Sequence, residues 1–164
     1  MLRIIAGLEQ PDSGTVLFNG EDTTNVAVRE RNVGFVFQHY ALFGHMTIFE
    51  NVAFGLRVQG VEKKDRLERA AGWLSRVGLS GFETRFGHEL SEGQAQRVAF
   101  ARALIVGFPV ILLDEPFSAL DPQTRTETRK LLKELVEQTQ VAALLVSHFP
   151  EDVEALATQV LLQE

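Results

Sequence analysis

Four bulky apolar residues, Val110 to Leu113, run directly into Asp114-Glu115. A strand of that composition sets two carboxylates at its rim. The first offers the hard oxygen that Mg²⁺ prefers, and the second is a candidate base for a water attacking phosphorus. A solvated acidic turn is the plain alternative. Val33 to Phe37 ends in the same way at Gln38, whose amide could meet a metal or a water. Val141 to Val146 ends at Ser147-His148, an imidazole within reach of a phosphate oxygen, although a lone histidine is commonly a surface residue. Leu90-Ser91-Glu92-Gly93-Gln94 opens a segment that carries Arg97 and Arg102. Small residues there would present free amides, a hydroxyl and the positive end of a helix to an anion, unless Ser91 is simply an N-cap.

These groups need elements to hold them. Met1 to Leu8 has the pattern of a helix end, with no capping residue ahead of it, followed by the turn residues Gln10-Pro11-Asp12-Ser13-Gly14. Thr15 to Phe18 is strand-like, and Asn19-Gly20 marks a tight turn. Apolar residues at three- and four-residue spacing predict a helix over Glu62–Val77, with Gly78 as its stop. Further helices are expected from about Ser91 to Val106, from Asp121-Pro122 through Val136, and briefly from Pro150. Val160-Leu161-Leu162 has the composition of a late core strand. Strands apolar along their whole length, alternating with helices, imply an α/β fold with a mostly parallel sheet covered on both faces. Ligands of such sheets bind at the carboxyl ends of the strands, where the polar residues above lie.

Composition narrows the field. The 164 residues suit one domain, and 45% hydrophobic with 23% charged residues is ordinary for a globular protein. A net charge of −6 gives no global footprint for nucleic acid, and none is expected as a partner. There is no cysteine, which excludes disulfides and thiolate metal sites. The longest apolar run, Ala103 to Leu113, is broken by Gly107 and Pro109 and is too short to cross a bilayer.

The order of these pieces resembles the ATPase subunit of ABC transporters. Gln38 corresponds to its Q-loop, and Leu90-Ser91-x-Gly93-Gln94 to its signature motif. Leu113-Asp114-Glu115-Pro116 matches Walker B with the catalytic Glu, Ser118-Ala119-Leu120-Asp121 the D-loop, and His148 the switch histidine. The resemblance implies a P-loop NTPase-like domain with a helical subdomain within about residues 40–105. It further implies a dimer in which each ATP lies between the phosphate-binding face of one subunit and the signature motif of the other. Carried over, Asp114 and Gln38 serve Mg²⁺, Glu115 acts on the attacking water and His148 contacts the γ-phosphate. Ser91, Gly93 and Gln94 reach the partner's ATP, and Asp121 organises the interface.

The stretch Phe37 to Phe43, His45-Met46-Thr47 and Glu50 to Leu56 is most similar to importer ATPases, those for sulfate and thiosulfate above all. Importers for sugars, polyamines, iron or molybdate share much of it. A non-transport ABC ATPase and a non-catalytic partner subunit are the alternatives. An importer subunit would sit at the cytoplasmic face of the membrane, with Tyr40 to Leu56 docking the permease. The same aromatic stretch would otherwise form a buried cluster at a helix start.

Two departures stand out. No Gly-x-x-x-x-Gly-Lys-Ser/Thr occurs in the chain. The family's phosphate loop precedes a helix ending like Leu2 to Leu8, so the expectation is a partial nucleotide-binding domain over 1–164 that lacks its N-terminal strands. Weak or no ATPase activity of the chain alone is expected with it. Glu92 also stands where relatives usually have Gly.

Overall fold

The computed structural model describes residues 1–161. Three parallel strands form its sheet, β3 (Val33–Val36), β4 (Val110–Asp114) and β5 (Ala142–Val146), in the order β3-β4-β5. Val33 stands opposite Val110, and Val110 opposite Ala142, so the three strands run level. Ahead of them lie α1 (Leu2–Ala6) and a small hairpin of β1 (Leu17–Phe18) and β2 (Glu21–Asp22). Its turn is Asn19-Gly20, with φ of 51° and 85°, the left-handed pair that a two-residue hairpin requires. The long crossover from β3 to β4 holds α2 (Ile48–Val58), α3 (Lys63–Arg76) and α4 (Glu92–Leu104). Helix α5 (Pro122–Thr139) joins β4 to β5, and α6 (Pro150–Leu156) follows. The α/β architecture with a parallel sheet is the one expected from the sequence.

Alternation along the strands divides the core. Val36, Ile111 and Leu113 point to the side covered by α2 to α5, within one cluster that includes Ile48, Leu56, Leu74, Phe100 and Leu132. Leu112 points to the other side, against Leu2 and Ala6 of α1. Helix α4 is buried along most of its surface, through Ala95, Gln96, Val98, Ala99, Phe100, Ala101 and Leu104. Its small residues let neighbours approach: a Cβ on Gly34 of β3 would come within 3.1 Å of the Ala103 carbonyl oxygen.

Side-chain caps set the helix starts. Thr47 and Glu50 form a reciprocal capping box at α2, as Ser91 and Gln94 do at α4. The α2 box was in plain sight as Thr-x-x-Glu, yet the sequence pattern pointed there only to a helix start, without its extent. At α1 the tie comes from elsewhere. Arg31, 6% exposed, donates to the carbonyls of Ile4 and Ile5 at 2.9 Å each, and to Thr24 and Val26. A Cβ on Gly7 would lie 2.6 Å from the Arg31 Nε, so glycine there meets both the φ of 79° and the space.

One expected element is corrected. Val160 and Leu161 form no strand and are 56% and 82% exposed: they pair with neither open edge of the sheet, that of β3 or that of β5. Leu162 lies outside the described residues. The strand expected at Thr15 shortens to Leu17–Phe18, the length that its single partner β2 supports.

Two exposed caps carry a pH signature. Thr124, through its hydroxyl and its N–H, holds the Asp121 carboxyl below its ordinary value. The Thr47 backbone N–H does the same for Glu50. A lowered folded-state value stabilises above the unfolded value, and that stability is lost as pH falls through the folded one. The urea midpoint is therefore expected to hold steady down to about pH 5 and to fall below about pH 4. Asp121→Asn, which keeps a good cap, should make that acid limb shallower; an identical limb would remove Asp121 from the account.

Candidate functional site

Level strands bring three chain segments to one edge. Gln38 lies two residues past Val36, and Glu115 two past its partner Leu113. The Glu115 N–H donates to the Val146 carbonyl at 2.9 Å, which draws the turn after β5 alongside. His148 Nδ1 then stands 2.6 Å from Glu115 Oε1, across 33 residues of sequence. An ionised carboxylate can only accept, so Nδ1 carries the hydrogen and Nε2 is left for a second partner. Glu115 Oε2 is buried and has no hydrogen-bond partner among the described residues. The Glu115 backbone is itself unusual, with φ of 48°, a left-handed value disfavoured for a residue with a side chain. Ser118 steadies it, donating from its N–H at 3.2 Å and its hydroxyl at 3.0 Å to the Glu115 carbonyl. Gln38 Nε2 donates to that hydroxyl at 3.4 Å. Asp114, half-buried at the end of β4, has no side-chain hydrogen bond among the described residues.

The turn that carries His148 is clamped from α5. Ser147 Oγ donates to Asp152 Oδ2 at 2.7 Å and accepts from the Phe149 N–H at 3.1 Å. Asp152 is 1% exposed, and Arg129 Nη2 lies 2.7 Å from its Oδ1, off the hydrogen-bonding line, so the tie is ionic. One helical turn earlier, the Arg125 guanidinium sits 3.9 Å from the centre of the Phe149 ring. Neither arginine was singled out from the sequence. The usable signal was their spacing of four on a helix, which a surface charge pattern shares.

Ser91, Gly93, Gln94 and Asp121 do not join this cluster by any hydrogen bond among the described residues. Ser91 and Gln94 cap α4 reciprocally. Asp121 caps α5, accepting from Gln123 and Thr124 N–H at 3.1 Å each. Gly93 is buried at the α4–α5 contact, where an added Cβ would come within 2.4 Å of Thr124 Cγ2. Glu92 is exposed in the first turn of α4. Burial, and next the Glu92 charge, push the Tyr40 hydroxyl above its ordinary value.

The aromatic stretch divides between core and surface. Asn51 is fully buried: it accepts from Phe43 N–H at 2.8 Å and donates to the Phe43, Met46 and Thr47 carbonyls. It shapes the 43–47 loop, and nothing in its sequence context assigned it that role. Phe43 and Phe54 pack with ring centroids 4.6 Å apart and planes tilted by 45°. They line an apolar groove of about 320 Å³ with Phe35, Phe37 and Arg102.

Asp114 and the Gln38 amide offer the hard oxygen donors that Mg²⁺ prefers.

Two changes test these contacts. Arg129→Met strands a buried carboxylate and is expected to cost about 3–5 kcal/mol in urea unfolding, with Asp152→Asn recovering part of it. Gly93→Ala should overpack the α4–α5 contact by about 1–3 kcal/mol. Thr124→Ser, which removes the clashing methyl, should restore it; a Gly93→Ala protein of unchanged stability would refute the close approach.

Comparison with known proteins identifies relatives of the chain and of its fold. The ABC transporter family model matches residues 1–118. The sulfate/thiosulfate import ATP-binding protein of Cucumis sativus is 52% identical over 99% of this chain and 47% of its own length. The protein of the same name in Bradyrhizobium diazoefficiens is 51% identical over 100% of this chain and 49% of its own. The chain thus spans about half the length of the curated relatives it matches. A dimeric ATP-binding cassette, solved in a post-hydrolysis state with ADP and Pi, superposes with a TM-score of 0.78 at 32% identity, over 94% of this chain and 71% of that one. The chain belongs to the ABC transporter family.

Proposed function

We propose that this chain supplies the hydrolytic carboxylate and switch histidine of an ABC importer ATPase, one that takes up sulfate or thiosulfate. The observation that carries the reading is the 2.6 Å contact between His148 and Glu115 at the carboxyl edge of the sheet. The Glu115 carboxylate accepts a hydrogen bond from a water and then its proton, as that water's oxygen bonds to the γ-phosphorus and the bond to ADP breaks. His148 holds Glu115 through Nδ1 and meets the γ-phosphate through Nε2. Asp114 and Gln38 hold Mg²⁺, which when bound neutralises charge on the phosphates. The names of the relatives support the choice of solute.

Ser91, Gly93 and Gln94 face the ATP of a partner subunit in this reading, and Asp121 orders the interface between the two. The dimeric solved relative supports that pairing. Residues of about 40–105 form the helical, permease-facing part, and the Phe43–Phe54 groove beside Arg102 takes an apolar segment of the permease. No helix among the described residues is long and apolar enough to cross a membrane, which suits a peripheral subunit on the cytoplasmic face.

The chain has no Gly-x-x-x-x-Gly-Lys-Ser/Thr. Each charge-assisted phosphate bond that such a loop makes is worth about 1.5–3 kcal/mol. Calorimetric titration of the chain with MgATP should therefore detect no micromolar site, and a micromolar affinity would overturn that expectation. Joined behind the phosphate-loop segment of a sulfate/thiosulfate relative, the chain should hydrolyse ATP. Glu115→Gln there should lower kcat at least about 100-fold with ATP binding retained; an undiminished kcat would remove Glu115 from the reaction. Glu92→Gly in the same protein should raise turnover.

A further inference from the structure

The peptide leading away from Gln38 is held in a conformation that its own side chains disfavour. Tyr40 and Ala41 have φ of 60° and 47°, two successive left-handed residues, neither of them glycine. In that region Cβ crowds the backbone carbonyl, and such residues persist only where their surroundings over-determine them. The Tyr40 and Ala41 N–H groups make local bonds to the Phe37 and His39 carbonyls, and Tyr40 packs against the core; the two carbonyls of the turn are both taken by one side chain. Arg102 of α4 donates from Nη2 to the Tyr40 carbonyl at 2.7 Å and from Nη1 to the Ala41 carbonyl at 2.8 Å. Its guanidinium lies 5.4 Å from the Phe43 ring centre, and it forms no ion pair among the described residues. A planar fork with two donors matches two adjacent carbonyls in a way that a point charge cannot.

Helix α4 touches this segment on both sides of Gln38. Before it, Gly34 closes on the Ala103 carbonyl; after it, Arg102 takes the two carbonyls of the turn. Gln38 itself is exposed, and its one side-chain bond among the described residues is the long 3.4 Å contact with Ser118. Its own contacts are therefore too few to fix it.

We propose that Arg102 is the positioning residue of Gln38: by holding Tyr40 and Ala41 in the left-handed conformation, it references the Gln38 turn to the buried helix α4. What a placed Gln38 does for ATP rests on the function proposed above, whereas the positioning does not.

The chain has one tyrosine and one tryptophan, so each gives an unambiguous ring signal by NMR. Tyr40 reports the turn, and Trp73, 9% exposed in the core, reports the fold. In Arg102→Met the Tyr40 ring signals should move toward free-tyrosine values while the Trp73 indole stays in place, and Arg102→Lys should fall between the two. Ala41→Gly, which accepts positive φ without strain, should raise the urea midpoint of the wild type and raise it less in Arg102→Met. Unmoved Tyr40 signals in a folded Arg102→Met protein would overturn the proposal. So would an equal gain from Ala41→Gly in both backgrounds. Should Arg102→Met fail to fold, Arg102→Lys and Ala41→Gly in the wild type decide it: unshifted Tyr40 signals or no gain in midpoint refutes it. A shifted Tyr40 ring beside unchanged hydrolysis in the phosphate-loop fusion would instead count against the role of Gln38.

Discussion

The level parallel register of β3, β4 and β5 is the constraint on which the candidate site depends. Parallel hydrogen bonding sets Val36 beside Leu113, and Asp114 beside Val146. Every segment leaving the sheet at its carboxyl edge therefore starts from the same height. Gln38, Glu115 and His148 are far apart in sequence, and only this alignment makes a 2.6 Å contact between two of them possible. A slip of one residue in β5 would turn each of its side chains to the opposite face. Leu112 and Leu144 would then no longer share the side packed under α1.

The register is itself held from the helical side. Helix α4 lies against β3 closely enough that Gly34 has no room for a side chain. Gly55 is tighter still, since a Cβ there would come within 2.4 Å of Val106 Cγ2. These close approaches need glycine and alanine, and α4 is built largely of small residues where it is buried. The polar exceptions are informative. Gln96 of α4 and Thr128 of α5 are fully buried, and their side-chain polar atoms have no partner. Such atoms are costly to bury without a partner, so they offset part of what the apolar packing of the helical layer contributes.

Strain is concentrated near the chemistry. Glu115, Tyr40 and Ala41 adopt left-handed backbone with side chains attached, and each is over-determined by bonds from elsewhere. Ser118 and Val146 hold Glu115, and Arg102 holds the other two. His148 is fixed at one remove, through Ser147, the buried Asp152 and Arg129. The exposed groups that would meet a ligand thus rest on buried charged ones that would not.

Much of this was legible in the chain. Apolar runs ending in polar residues located the three strands and their outlets to within a residue or two, because burial on both faces demands continuous apolar sequence. Asp121-Pro122 and Ser91 announced their helices, because capping is local chemistry. Val160-Leu161 misled, because apolar composition alone does not bring a segment to a sheet edge: a strand exists only where its backbone pairs with another. The holding roles of Arg31, Asn51, Arg102 and Arg129 were not legible, since each takes its role from carbonyls or a carboxylate supplied mostly by other segments. The sequence by itself determined which residues could do chemistry and which elements would carry them, for these depend on periodicity and local caps. Only the tertiary structure decided that Glu115 meets His148 and that arginines hold the turns, because those contacts exist only after distant segments are packed into register.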